Sequence, residues 1–153
     1  MPVFERPGDG RILEGFGLDD LDVTSVRQYR EMFAVAKPHD QWLALDEAAL
    51  LEQLRCWRKN RKTGNYGLTF AGLLMFGKHG AIVTPGAAPR YLVDYREYRG
   101  QHRAAQKWSD RLFPDGTWEA NLILFIQHSW IELTSDLNAV LRASKAAQII
   151  NGT

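Results

Sequence analysis

The sequence predicts an α+β domain made of three N-terminal helices, a β-hairpin and a long closing helix. Three observations lead to this prediction. Apolar residues recur at helical spacing in three segments before residue 80. Apolar and polar residues then alternate through residues 90–96, which is the period of a half-buried strand. Helical spacing returns after residue 118. Helices followed by a hairpin and a closing helix are typical of the α+β class.

The first two helices have clear start signals. The first lies in "VTSVRQYREMFAVA", with Asp22 as its N-cap and Pro38 just after its end. Its predicted apolar face consists of Val23, Val26, Tyr29, Phe33 and Ala36. The second starts at Asp46 in "LDEAALLEQLRCW" and is expected to run to the basic residues that follow, which suit the negative end of a helix dipole. Its predicted apolar face consists of Leu50, Leu51, Leu54 and Trp57.

The segment "GLLMFGKHG", residues 72–80, has the glycines and the lysine of a phosphate-binding loop. Its four central residues are bulky and apolar, no strand precedes it, and His79 stands where a magnesium-binding hydroxyl is needed. The interpretation we favour is a buried helix that begins near Thr69. In that interpretation Gly72 permits close packing, Gly77 is a left-handed C-terminal residue, and Lys78 lies beside the negative end of the helix.

The second half contains the hairpin and the closing helix. In "PRYLVDYREYR" the apolar side chains Tyr91, Val93 and Tyr95 share one side, and Leu92 is out of step. "QKWSDRLF" is the predicted antiparallel partner. The closing helix is predicted from about Trp118 to Leu133, with an inward stripe of Leu122, Phe125, Ile126, Ser129, Trp130 and Leu133.

Length and composition are those of one ordinary folded domain, at 153 residues and a net charge of +1. We expect a lead-in or linker over residues 1–17, the α+β domain over 18–137, and a truncated or flexible tail over 138–153 that ends an excised piece of a longer protein. The single cysteine, Cys56, excludes an internal disulfide. The sequence has no signal-peptide pattern and no apolar run long enough to cross a bilayer, which favours a cytoplasmic protein without membrane contact.

The run "RCWRKNRK" is the candidate nucleic-acid-binding site. Its basic residues, beside Trp57, are Arg55, Arg58, Lys59, Arg61 and Lys62. The alternative, a solvated basic helix end, is the commoner case. A helix-turn-helix is disfavoured, since the next helix has no polar face with which to read bases.

Other chemistry has little support. The histidines, His39, His79, His102 and His128, are scattered without metal-ligand spacing, and neither Cys56 nor Ser129 is tied to a base. The acidic residues Asp94, Glu97, Asp110 and Glu119 have arginine neighbours, so surface ion pairs are expected there. No catalytic or metal-binding residue is assigned.

Five segments resemble, in this order, the middle region of a bacterial family of transcriptional regulators and ATP-dependent DNA helicase RecG-related proteins. They are "DLDVTSVRQYR", "GLTFAGLLMFGK", "YLVDYREY", "KWSDR" and "DGTWEANLILFI". In proteins similar to this, a Schlafen-type, AlbA-like domain associated with nucleic acid precedes the region, and an ATPase-like domain follows it.

The resemblance implies a non-catalytic connector domain in a DNA-associated regulator, positioned between a DNA-binding and an ATPase-like module. ATP is then a cofactor of the full-length protein and not of this domain. Its partners are DNA and the flanking domains of the same chain, and the oligomeric state stays open. The alternative hypothesis is a nucleic-acid-binding module that contacts phosphates through the basic run. Nucleotide hydrolysis through Lys78 ranks third.

Overall fold

The computed structural model describes residues 8–98 and 110–151 and confirms the α+β class. Its helices are α1 (Val23–Ala36), α2 (Glu47–Gln53), α3 (Phe70–Phe76), α4 (His79–Ile82) and α5 (Leu122–Asn151). Its strands are β1 (Trp57–Lys59), β2 (Tyr66–Leu68), β3 (Tyr95–Glu97) and β4 (Asp110–Leu112). Short 3-10 helices span Leu18–Asp20 and Gln41–Ala44. The strands form two separate antiparallel hairpins, β1 with β2 and β3 with β4.

The predicted helix starts are confirmed by their caps. The carboxylate of Asp22 accepts a hydrogen bond from the Ser25 amide at 3.0 Å, and α1 ends at Ala36, before Pro38. Asp46 accepts from the Ala49 amide at 2.7 Å at the start of α2. These side chains satisfy amides that have no partner in the first turn of a helix, so the starts follow from local sequence.

Helix α3 packs into the core, as its apolar composition predicts, with three of its seven residues buried and the other four half-buried. Leu73 and Phe76 are fully buried and pack with Val26 of α1 and with Ile123 and Leu124 of α5. Apolar side chains from all three helices thus share one core, and burying them supplies the main favourable term in folding.

The chain before α1 also belongs to this core. The amide of Leu13 donates to the Leu68 carbonyl at 2.9 Å, and the amides of Phe70 and Ala71 donate to the carbonyls of Arg11 and Asp9 at 2.9 and 2.8 Å. Only 5% of Leu13 is exposed. Part of the segment predicted as a lead-in therefore pairs with β2 and with the start of α3.

The predicted left-handed conformation of Gly77 is wrong, because its φ is −68° and its ψ is 154°. Gly77 instead leaves α3 in an extended conformation and pairs with Leu21. A side chain at this position would collide with the Leu73 carbonyl oxygen and with Ile82. The glycine is required here for space and not for a positive φ.

The predicted second helix is too long, because α2 ends at Gln53 and Trp57 begins β1. The hairpin of β1 and β2 was not predicted.

The predicted hairpin in the second half is confirmed, with Tyr95 opposite Leu112. Strand β3 is shorter than the predicted strand, and most of the connecting loop lies outside the described residues. Leu92 is 66% exposed and Val93 only 7%, as the alternation indicates.

Helix α5 begins later and continues further than predicted. Ala120 has a positive φ of 50°, and the Oδ1 of Asn121 accepts from the Leu124 amide at 3.1 Å, so the helix starts at Leu122. The predicted inward stripe is wrong at three positions, because Ile126 is 52% exposed, Trp130 is 66% exposed and Leu133 is 54% exposed. Among the side chains of α5 that the structure describes, the buried apolar ones are Ile123 and Leu124 in its first turn, which pack with residues of α1 and α3.

The buried side-chain amide of Asn121 forms hydrogen bonds that connect α5 with α1 and α3. The Nδ2 of Asn121 donates to Ser25 Oγ at 2.8 Å and to the Gly77 carbonyl at 3.1 Å, and no part of Asn121 is exposed. An amide in a dry site makes strong hydrogen bonds and is costly to leave unpaired. Asn121 thus joins the start of α5 to α1 and to the end of α3.

No helix in residues 8–98 or 110–151 is both long and apolar enough to cross a membrane.

A methyl group added at position 72 tests the close packing of α3 predicted from the sequence. A Cβ on Gly72 would lie 2.6 Å from the Cys56 carbonyl oxygen and 2.8 Å from Cys56 Cβ. We expect Gly72→Ala to lower the free energy of unfolding by about 1–3 kcal/mol, the usual cost of overpacking. Urea denaturation followed by circular dichroism measures this change.

Gly80→Ala is the matched control. Position 80 lies in α4 with nothing within 4 Å of an added Cβ. There the substitution should leave stability unchanged or raise it by about 0.4–1 kcal/mol, because alanine restricts the unfolded chain. Equal effects of the two substitutions would contradict the role assigned to Gly72.

Candidate functional site

The five basic residues singled out in the sequence lie together on the first hairpin and at the end of the helix before it. Arg58 and Lys59 belong to β1, Arg61 and Lys62 to the turn, and Arg55 follows α2. All five are exposed. We call them the basic cluster. The expectation that they form a solvated helix end is wrong for the four residues of the hairpin, because α2 ends at Gln53.

The turn of this hairpin is well defined by its own hydrogen bonds. The Asn60 amide donates to the Asn65 carbonyl at 2.7 Å, and the Gly64 amide donates to the Asn60 carbonyl at 2.8 Å. The Asn60 side chain accepts from the Lys62 amide at 2.9 Å, and Gly64 takes the positive φ of 76° that glycine tolerates. The turn therefore presents Arg61 and Lys62 from an ordered backbone.

Arg55 occupies the position after a helix where glycine is the usual residue. Its amide donates to the Glu52 carbonyl at 3.0 Å, and the Cys56 amide donates to the Leu51 carbonyl at 2.9 Å. This pair of bonds is a Schellman motif, and it requires a left-handed residue at Arg55, which has a φ of 59°. A non-glycine residue in this conformation carries about 1–2 kcal/mol of strain.

Thr69 holds the strained segment in place. Its hydroxyl lies 2.9 Å from the Arg55 carbonyl and 3.1 Å from the Cys56 carbonyl, and it also accepts from the Gly72 amide at 3.1 Å. The Thr69 amide donates to the Cys56 carbonyl at 2.9 Å. One residue therefore caps α3 and binds the backbone between α2 and β1, which orients Arg55 relative to the hairpin.

An aromatic pair lies within the basic cluster. The rings of Trp57 and Tyr66 are nearly parallel, with centroids 6.2 Å apart and planes 18° apart. Trp57 is half-buried against the core, and Tyr66 is 47% exposed. Because Trp57 pairs with Leu68 and Lys59 pairs with Tyr66, the two rings are diagonal neighbours on one side of the hairpin. Trp57 stands out in the sequence beside the basic run, whereas Tyr66 does not.

A surface groove of about 510 Å³ runs beside the aromatic pair. Its lining residues are Gly10, Glu52, Gln53, Arg55, Trp57, Arg58, Lys59, Arg61 and Tyr66. Four of them are basic and one, Glu52, is acidic, so the groove is strongly positive on a chain whose net charge is only +1. Arg58 donates to the Gly10 carbonyl at 3.1 Å, which joins the hairpin to the N-terminal segment.

The sequence contains signals for part of this arrangement. A short run "WRK", a turn with Asn60 and Gly64, and a second run "YGL" form a hairpin pattern. This pattern was not recognised because the helical spacing of apolar residues continues through Trp57, the first residue of β1. The places of Gly10 and Glu52 in the groove have no local signal, because they depend on packing between distant segments.

Lys78 makes contacts that suit a structural role. Its Nζ donates to the Asp19 carbonyl at 2.8 Å, and its amide donates to the Asp20 carbonyl at 2.8 Å. The preceding residues form the buried helix α3 and not an open glycine-rich turn. The favoured interpretation of this segment as a helix is confirmed, and Lys78 joins the end of α3 to the 3-10 helix before α1.

The acidic residues considered in the sequence also have structural partners. Asp94 Oδ1 accepts a hydrogen bond from Arg111 Nε at 3.0 Å, and Asp94 Oδ2 lies 2.7 Å from Arg96 Nη2. The hydrogen bonds from Arg111, and to a lesser extent those from Arg96, hold the pKa of the Asp94 carboxyl below its usual value. Glu119 accepts from the His79 amide at 2.6 Å. Ion pairing around Asp94, expected from the sequence, is confirmed.

Neither a group of side chains that could bind a metal ion nor a reactive thiol is found in the described part of the chain. No group of three or more potential ligands lies together within residues 8–98 and 110–151. Burial raises the pKa of the Cys56 thiol to about 11, so the nucleophilic thiolate is scarce near neutral pH.

Comparison with known proteins identifies a family without an assigned function. Residues 3–94 match the model of the family described as Domain of unknown function (DUF8451), and the chain belongs to this family. The matched range contains α1 to α4 and the whole groove. No curated protein and no solved structure matches the chain.

Two substitutions at Arg55 separate its strain from its charge. Glycine removes both the guanidinium and the backbone strain, whereas alanine removes the guanidinium and keeps a Cβ at a φ of 59°. We expect Arg55→Gly to be more stable than Arg55→Ala by about 1–2 kcal/mol. Thermal and urea unfolding of the two variants measure the difference. Equal stabilities would show that the left-handed conformation of Arg55 is not strained.

Proposed function

We propose that this domain contacts the phosphate backbone of nucleic acid through the basic cluster. The observation that carries the proposal is the concentration of five exposed basic residues on and beside one ordered hairpin, around a groove with a single acidic lining residue. Phosphate contacts from Lys and Arg supply most of the affinity of non-specific nucleic-acid binding. A local patch is needed for this purpose, since the whole chain has almost no net charge.

The sequence resemblance extends this proposal to the whole protein. It supports a cytoplasmic, DNA-associated transcriptional regulator of the RecG-related type, with ATP used outside this domain. The segment 72–80 does not support a phosphate loop for ATP, since the backbone amides of Gly77 and Lys78 bond to the carbonyls of Leu73 and Asp20. We therefore place the enzymatic part of the proposal in the rest of the protein.

A connector role is the second candidate, and the exposed part of α5 favours it. The helix spans 30 residues, or about 45 Å at 1.5 Å per residue. Beyond the first turn it exposes large apolar side chains at Ile126, Trp130, Ile131 and Leu133. Apolar side chains grouped on one helix are typical of a surface that packs on another domain.

A salt titration of binding tests the phosphate contacts. We expect a nucleic-acid affinity that falls steeply between about 50 and 200 mM salt. Replacement of Arg58, Lys59 and Arg61 by alanine should weaken binding at least about tenfold and reduce the slope of log K against log salt by about two to three units. Mobility shift and fluorescence anisotropy measure both quantities.

The matched control replaces three exposed basic residues elsewhere, Arg27, Lys37 and Arg90, by alanine. Its net charge equals that of the first variant, so only a site-specific contact distinguishes the two. Equal losses would indicate a general charge effect. Absence of salt-dependent binding in the unmodified chain would overturn the proposal and leave the connector role.

A further inference from the structure

We infer that the nucleic acid bound at this groove is single-stranded, with an unpaired base stacked on the aromatic pair while the basic cluster holds the flanking phosphates. The inference rests on the proposed function and adds the class of ligand to it. Four features of the groove carry it.

The first feature is an exposed aromatic ring among the cations. Tyr66 is 47% exposed and stands opposite Lys59 in the hairpin. Proteins that bind single strands without sequence preference combine a positive groove with aromatic rings on which bases stack. A duplex keeps its base faces stacked inside the helix and would leave this ring without a partner.

The second feature is the support behind that ring. Trp57 stacks on Tyr66 at 6.2 Å and is itself packed against the core. The Tyr66 hydroxyl lies 3.5 Å from a Glu52 carboxylate oxygen. The ring is therefore restrained on one face and at its tip, and a restrained ring loses little conformational entropy when a base stacks on it.

The third feature is Glu52. A carboxylate repels phosphate, so its presence in the lining is unexpected for a groove that holds only a backbone. A carboxylate does accept hydrogen bonds from the exocyclic amines of bases. Glu52 beside Tyr66 therefore indicates a position for a base, whereas the four basic lining residues indicate positions for phosphates.

The fourth feature is Arg55, which lies in the same lining at a left-handed position that glycine would fill without strain. A planar guanidinium can stack on an unpaired base and also contact a phosphate. A contact of this kind would be a reason for an arginine, and not a glycine, at this position.

Binding of matched oligonucleotides to the full 153-residue chain tests the inference. The probes are a mixed-sequence DNA strand of about 20 nucleotides, its duplex, and an RNA strand of the same sequence. All are longer than the stretch of about 4 to 16 nucleotides that an OB fold, a common single-strand-binding domain, covers. We expect the single strands to bind at least about tenfold more tightly than the duplex at equal salt. The two single-stranded probes then separate DNA from RNA as the source of the ligand.

Two substitutions at Tyr66 locate the stacking. Tyr66→Ala should weaken single-strand binding between about 5-fold and 150-fold, the range measured for loss of one base stack, and change duplex binding less than about twofold. Tyr66→Phe keeps the stacking ring and loses only the hydroxyl contact with Glu52, so it should bind single strands much more tightly than Tyr66→Ala. Circular dichroism confirms that both variants are folded.

Photocrosslinking of the unmodified chain gives a readout that does not depend on a variant. A single strand carrying 5-iodouracil should crosslink to Tyr66 or Trp57, as identified by mass spectrometry, and the same base in a duplex should not. Equal affinity for single strand and duplex, with no effect of Tyr66→Ala and no such crosslink, would overturn this inference and leave the phosphate contacts intact. Absence of binding to every probe would overturn both proposals.

Discussion

The position of the candidate site depends on the close approach of α3 to the end of α2. Gly72 leaves room for the Cys56 backbone, since an added Cβ would lie 2.6 Å from its carbonyl oxygen. The Thr69 hydroxyl bonds in the same place to the carbonyls of Arg55 and Cys56. Because the chain enters β1 at Trp57, this contact determines the direction of the hairpin and hence of the basic cluster. The strain at Arg55 persists because the surrounding bonds and packing determine its conformation.

Helix α3 is tied at its other end as well. The Phe76 carbonyl accepts a hydrogen bond from the Asp22 amide, and the Gly77 carbonyl accepts one from the Asn121 side chain. Because Asn121 also donates to Ser25, its side chain joins α1, the end of α3 and the start of α5. The two ends of one short buried helix thus organise different parts of the molecule, the hairpin at Thr69 and the long helix at Gly77. This arrangement places the positive groove and the exposed apolar side chains of α5 on one connected core. It is compatible with a domain that contacts nucleic acid while a neighbouring domain packs on α5.

Much of the candidate site could be located from the sequence, but its shape could not. The basic cluster is visible as a run of letters, because charge density needs no tertiary information. The aromatic pair, the acidic Glu52 and the contact of Arg58 with Gly10 were not predicted, since each joins residues from separate segments. The separations are 9 positions for Trp57 with Tyr66, 14 for Glu52 with Tyr66 and 48 for Arg58 with Gly10. The interpretation of the basic run as a helix end was wrong because helical spacing continues through Trp57 although the helix does not.

The sequence by itself determined the α+β class, the starts of α1, α2 and α3, and the burial of α3. These features follow from caps such as Asp22 and Thr69 and from the spacing of apolar residues, which act within one or two turns. Only the tertiary structure decided where α2 ends and which side chains of α5 are covered. Arg55 is left-handed in a Schellman motif that leaves Leu51 and Cys56, on either side of it, both buried. Trp130 is 66% exposed because the apolar side chains of α5 that join the core, among those the structure describes, are Ile123 and Leu124 in its first turn, and no local pattern records this limit.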